Sequence, residues 1–203
     1  MFPFDAILFD IGGVLLTNGW DHADRAAAAM RFGLDHEALE ARNSLAIDAW
    51  DRGRSDLDAY LDATVFCEPR DFSREEFKTF LFAQSQLLPH GAMPILAELA
   101  ARNPCLLGSL NNEPRETNEY RFRQFSLRRY FRVAFSSCFM GLRKPEPAIY
   151  HRTLDMLGNP PERVLFLDDR VENIAAAQAA GITALRFTGL DALRADLERL
   201  GVL

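Results

Sequence analysis

Cysteine is scarce in this chain: among 203 residues only Cys67, Cys105 and Cys138 occur. They are odd in number and far apart, and there is no CxxC pair, which argues against a disulfide framework or a structural zinc site. Long apolar runs are missing as well. No stretch approaches the length that spans a bilayer, and the first residues lack the basic-then-apolar pattern of a signal peptide, so neither a membrane span nor secretion is expected. The four histidines, His22, His36, His90 and His151, show no ligand spacing. There is no GxGxxG dinucleotide loop and no GxxxxGK phosphate loop, and Ser109 lacks the GxSxG context of a serine hydrolase. Positive charge is not in excess. The formal net charge is -6, which disfavours nucleic acid and anionic membranes as partners. The expectation is a cytoplasmic monomer or homodimer.

What is present is ordinary for a globular protein: 48% hydrophobic and 26% charged residues. The length suits one domain with an insertion. Five short apolar runs read as buried strands: Ala6–Phe9, Cys105–Leu110, Val133–Phe135, Val164–Leu167 and Thr183–Phe187. Helical spacing lies between and after them, over Met93–Ala101, Thr117–Phe125, Pro147–Leu157, Ile174–Ala180 and Leu190–Leu200. Strands alternating with helices give an α/β class, a Rossmann-like parallel sheet with helices on both faces.

One segment breaks the alternation. Residues 21–88 hold helix-like stretches, Asp24–Phe32, Glu37–Trp50, Leu57–Val65 and Arg74–Gln84, but no strand. That is too long for a loop and reads as a helical insertion. The expected division is a core of residues 1–16 and 89–203 and a helical cap of residues 17–88. Phe66, Phe72, Phe77, Phe80 and Phe82 are expected to form the insert's own core. In RFRQFSLRRYFRV, five arginines (121, 123, 128, 129 and 132) alternate with aromatics. Phe122 and Phe125 share a helical face there, so a buried stripe with solvated arginines is expected rather than a nucleic-acid surface.

Ligands of open parallel sheets sit beyond the carboxyl ends of the strands. The first strand ends on Asp10 and runs into Ile11-Gly12-Gly13. The second ends near Asn111-Asn112, and the fourth ends on Asp168-Asp169. Lys144 follows the third strand. Carboxylates packed together repel unless a cation lies between them, and a hard oxygen-seeking ion such as Mg²⁺ suits carboxylates, carbonyls and water. Lys144 would balance a carboxylate or an incoming phosphate, with Asn111 and Asn112 as amide donors to phosphate oxygens. A nucleophile, a metal, a lysine and oriented donors are what phosphoryl transfer needs.

In that order, FDIGGVLL, LNNEPRETNEYR, GLRKPEPAIY and VLFLDDRVENIAAAQAAGI resemble the four signature motifs of the haloacid dehalogenase-like superfamily, and the insert resembles the small helical cap of one branch. The resemblance implies Asp10 as nucleophile and Lys144 as the lysine that positions it and the phosphate. It also implies a Mg²⁺ held by Asp10, the Gly12 carbonyl and Asp169, with Asp168 as a further ligand or a support, and Asn173 in a supporting place. The implied activity is removal of phosphate from a small phosphorylated metabolite through an aspartyl-phosphate at Asp10. A metal-independent 2-haloacid dehalogenase and a non-catalytic phosphate-binding module are the alternatives.

Two departures stand out. The family's phosphatases usually carry Asp where this chain has Gly12, and that Asp is the general acid. Asp21, His22 and Asp24 are the nearest replacements in sequence. Where Ser or Thr is usual in the second motif, alignment places Asn111, and Ser109 fits only with a shift of register.

Overall fold

The structure, a computed structural model, describes residues 2–203. A single parallel sheet holds β1 (Ala6–Phe9), β2 (Leu106–Asn111), β3 (Val133–Ser136), β4 (Val164–Asp168) and β5 (Thr183–Arg186) in the order β3-β2-β1-β4-β5. Strands β1 (AILF) and β4 (VLFL, then Asp168) are apolar without alternation because both of their faces are covered. Successive residues of β1 go to opposite sides. Ile7 and Phe9 enter one apolar cluster with Leu165 and Leu167 of β4, whereas Ala6 and Leu8 enter another with Val164 and Phe166.

Six helices follow the first part of the sheet: α5 (Met93–Arg102), α6 (Arg115–Gln124), the short α7 (Ser137–Met140), α8 (Pro147–Leu157), α9 (Val171–Ala179) and α10 (Leu190–Arg199). Leu96 and Leu99 of α5 and Leu193 and Leu197 of α10 cover the Phe9 side. Ile149 and Tyr150 of α8 and Ile174 of α9 cover the Leu8 side. A fully buried side chain of this size contributes roughly 1.5–3 kcal/mol, so the two layers fix the sheet firmly. Observed ends lie within three residues of the expected ones: β1 and α8 coincide with expectation, and β2 runs to Asn111 rather than Leu110. The four-residue α7 is too short to show a period in the sequence.

Between β1 and α5 lie α1 (His22–Phe32), α2 (His36–Asp51), α3 (Leu57–Thr64) and α4 (Arg74–Ala83). Each begins at a side-chain cap: Asp21, Asp35, Asp56 and Ser73 accept from backbone N–H groups of the first turn, which meets donors that a helix start leaves unpaired. These helices share their own apolar cluster around Leu39, Trp50, Tyr60, Leu61 and Phe77, with Phe66, Phe72, Phe80 and Phe82 packed against it.

The chain enters and leaves this insert side by side. Leu16 bridges Leu87, and Thr17 N donates to Gln86 O at 2.9 Å. Here one sequence expectation is corrected. Arg123, Arg128, Arg129 and Arg132 are exposed, but Arg121 is only 1% exposed. Its guanidinium donates to Glu113 Oε1 at 2.6 Å, Ser85 Oγ at 3.0 Å and Thr17 O at 2.9 Å. Burial is tolerable because every face of the charge has an acceptor, and the result ties both connecting segments to the core.

Candidate active site

The strand order reverses direction about β1, and that crevice at the carboxyl edge is where such sheets bind ligands. Phe9 pairs with Leu167 on one side and Ser109 on the other, so the next residue, Asp10, stands level with Asp168 and Leu110. Asp10 is buried, its backbone N–H donating to Leu167 O at 2.8 Å and its Oδ1 accepting from Ile11 N at 2.8 Å.

Lys144 arrives from the loop before α8. Its Nζ lies 3.0 Å from Asp10 Oδ1 and 2.6 Å from Asp168 Oδ2, and donates to Leu110 O at 2.9 Å. Three donors thus meet three acceptors. Burial by itself would lower the ammonium's pKa, but the two carboxylates hold it above its ordinary value. Burial pushes the Asp10 carboxyl up to about 7; Lys144 pulls it down and the Asp168 charge adds to the rise. One lysine does not balance this many acids.

The paired aspartates divide. Asp168 is fully buried and engaged on both oxygens, accepting from Arg170 N at 2.8 Å, from Asn173 Nδ2 at 2.9 Å and from Lys144. Asp169 is different: its Oδ1 is shielded from solvent and has no partner. Oxygens of Asp10, Asp168 and Asp169 lie within 4.8 Å of one another. An orphaned carboxylate oxygen beside two other acids is a site in want of a cation, and an all-oxygen donor set suits Mg²⁺. The residues therefore fit the ion, with Asp169 free to ligate and Asp168 already committed to Lys144. Gly13 has φ +74°, and a Cβ there would lie 2.4 Å from Asp169 Oδ2, so glycine is required for the loop to reach this carboxylate. Gly12 is less constrained, a Cβ coming only to 3.4 Å of Asn18.

The amides of both asparagines already have partners within the protein, and Asn112 also lines the cavity above Asp10. Asn111 is turned into the protein, its Nδ2 donating to Asn118 Oδ1 at 3.1 Å and its Oδ1 accepting from Ser136 Oγ at 2.9 Å. Asn112 accepts from Lys144 N at 2.8 Å and donates to Lys144 O at 2.8 Å. Its amide fixes the lysine's backbone, as a loop residue with no sheet partner requires. Ser109 pairs with Phe9, one level below Asp10, with its Oγ buried and unpartnered.

Above Asp10 opens a cavity of about 570 Å³, roofed by α1 and α2. Of the three candidate replacement acids, Asp21 and Asp24 form a reciprocal cap at the start of α1, and His22 sits at the cavity rim with 72% of its side chain exposed. Nothing in the sequence singles out Asp51 among the acids that line the cavity. Asp51, the last residue of α2, lines it at 7% exposure, with Arg143 Nη2 at 3.1 Å. Burial raises its carboxyl to about 6 despite the arginine. Its backbone carbonyl accepts from Ser137 Oγ at 2.6 Å, and Ser137 in turn accepts from Glu113 N at 2.9 Å, which anchors the end of α2 to the β2 edge.

The parallel α/β sheet thus presents at its switch point a buried aspartate, gripped by a lysine and flanked by a carboxylate with an unpartnered oxygen, and the family to which the chain belongs is one of hydrolases. The chain belongs to the haloacid dehalogenase-like hydrolases, whose family model matches residues 4–181. It is similar to flavin mononucleotide hydrolase 1 of Arabidopsis thaliana, 30% identical over 166 residues that make up 82% of this chain and 66% of that protein. It is also similar to phosphoglycolate phosphatase of Photorhabdus laumondii, 28% identical over 192 residues, covering 90% and 80% of the two chains. In three dimensions it resembles a haloacid dehalogenase-family enzyme of Bacteroides thetaiotaomicron crystallised with magnesium and inorganic phosphate. The TM-score is 0.76 at 20% identity, over 92% of this chain and 95% of that one, which bears on the fold alone. Among the described residues no helix is long and apolar enough to cross a membrane.

Proposed function

We propose that this hydrolase is a Mg²⁺-dependent phosphatase acting on a small phosphorylated metabolite, with Asp10 as nucleophile and residues 17–88 as a cap over the reaction. The observation that carries the reading is the Lys144 ammonium, shared between Asp10 and Asp168 beside the unpartnered Asp169 oxygen. Two relatives whose names describe hydrolysis of phosphate esters support it. Asp10, the Gly12 carbonyl and Asp169 would hold Mg²⁺, which supplies charge stabilisation for the phosphoryl oxygens when bound.

The chain's own groups do the rest. Lys144 orients one Asp10 oxygen and favours its ionised form against the cost of burial, so that the carboxylate can attack phosphorus. The alkoxide leaves as the P–O bond breaks, and an aspartyl-phosphate forms. Asp51 faces the same cavity and gives its proton to the departing oxygen, in the role that Gly12 cannot fill. Water then attacks phosphorus, and Asp51 takes back a proton as Asp10 is released. The insert's helices exclude bulk water from this exchange.

The test is a phosphate-release screen over sugar, nucleotide and acyl phosphates, with Mg²⁺ and with chelator, run beside Asp10→Asn. Release that needs both Mg²⁺ and Asp10 is expected. Halide release from 2-haloacids that persists under chelation would favour the dehalogenase reading, and tight binding of beryllium fluoride without any turnover would favour a phosphate-binding module.

A further inference from the structure

A second set of ligand-type side chains lies away from the catalytic carboxylates, in the insert. His36 opens α2 and Glu40 follows one turn later, so the two share a helix face. Packing of α1 on α2 brings His22 to the same spot, with the two imidazole centroids 4.9 Å apart. His22 Nδ1 lies 3.3 Å from Glu40 Oε1, and His36 Nε2 lies 3.5 Å from the same oxygen. Around a tetrahedral ion with ligands at about 2.0–2.1 Å, neighbouring donor atoms stand about 3.4 Å apart. Two of the three separations already have that length, and all three fall within 4.8 Å.

His36 Nε2 is the independent pointer. It is shielded from solvent and makes no hydrogen bond, not even to Glu40, and a polar atom left this way is costly unless something binds it. The carboxylate is prepared as well. Arg25 donates to Glu40 Oε1 at 2.7 Å and to Oε2 at 3.0 Å, and its own Nη1 is held by Trp20 O at 2.5 Å. The guanidinium fixes the direction of this carboxylate, as outer partners of ligating carboxylates do.

We propose that His22, His36 and Glu40 bind a divalent ion of the Zn²⁺ class, with water completing the tetrahedron on the exposed side of His22. Two imidazole donors favour such an ion over Mg²⁺, so this site is chemically distinct from the all-oxygen site at Asp10 and Asp169. The Arg25 charge and the open fourth position make it weaker than a closed four-ligand site. Because His22 and Arg25 also line the large cavity, the bound ion would pin α1 to α2 at the cavity rim.

The experiment is calorimetric titration of the full chain with Zn²⁺ in saturating Mg²⁺, on wild type, His22→Gln, His36→Gln and Asp169→Asn. Wild type and Asp169→Asn are expected to take up one equivalent with the same affinity, and each histidine variant to bind at least tenfold more weakly. Zn²⁺ should raise the melting temperature of wild type and not that of the histidine variants. His22 is too exposed for its replacement to unfold the chain, and circular dichroism checks this. Zn²⁺ binding unchanged in both histidine variants, binding lost only in Asp169→Asn, or no binding at all would each overturn the proposal.

Discussion

Replacing Asp51 by Asn should make the protein more stable and a poorer catalyst, and the pH dependence separates these effects from a simple packing defect. In the folded chain the Asp51 carboxyl titrates at about 6, against an ordinary value of 3.8. At about 1.4 kcal/mol per pH unit this difference corresponds to about 3 kcal/mol, an upper bound on the cost of burying the charge. Above pH 6 the side chain is ionised in folded and unfolded chains alike, and only the folded one carries the desolvation cost. The gain from Asn is therefore full there. It shrinks as pH falls and the folded Asp51 takes up its proton, and it vanishes once the pH is below 3.8. Urea unfolding of the two proteins at about pH 8 and about pH 4.5 measures it. In the same variant the first step, read as the rapid-quench rate of phosphoryl transfer to Asp10, should slow by about 10²-fold or more with alkyl phosphates, whereas the same step with an aryl phosphate, whose phenolate is a weak base, should be nearly unaffected. Loss of stability at alkaline pH, or equal slowing of both substrates, would refute the reasoning.

Gly12→Asp in the Asp51→Asn background should restore at least tenfold of the lost alkyl-phosphate turnover, because a Cβ at Gly12 meets only Asn18, at 3.4 Å, and the new carboxyl supplies a proton; steady-state kinetics on the double variant check this. Gly13→Ala should weaken activation by Mg²⁺ by about 10–100-fold, since its Cβ would displace Asp169 and damage to a ligand's support commonly costs that much; a Mg²⁺ titration of activity is the readout. Arg121→Met should cost about 3–5 kcal/mol in urea unfolding by leaving Glu113 buried without its partner, and adding Glu113→Gln should return part of it.

Much of the architecture was legible from the residues. The β1 run AILF, the β4 run VLFL and the helical stretches between strands have periods that follow from burial on two faces or one, and these are local properties. Asp10, Lys144 and Asp168 could be placed at one edge because parallel strands put their carboxyl ends together. What could not be read was direction within that edge. Asp168 and Asp169 are adjacent in sequence, yet one is saturated by Lys144, Arg170 and Asn173 and the other has a free oxygen; only the backbone's turn after β4 decides which. Amide side chains suit donation to a ligand, but nothing local shows that Asn111 faces Asn118 or that Asn112 spans the Lys144 backbone. Asp51 is one acid among many in the insert, and its burial depends on how α2 ends against Ser137 and Arg143. Arg121 looked like its exposed neighbours because nothing local announces Ser85 and Thr17 as its acceptors. The meeting of His22 with His36 likewise depends on helix packing across 14 residues of sequence, a spacing that carries no ligand signature.

Rapid acid quenching during turnover, followed by peptide mass mapping, tests the central claim most directly. A phosphoryl group on the peptide that carries Asp10, present with Mg²⁺ and absent with chelator, is the predicted result. A phosphoryl group on another residue, or full turnover by Asp10→Asn, would contradict it.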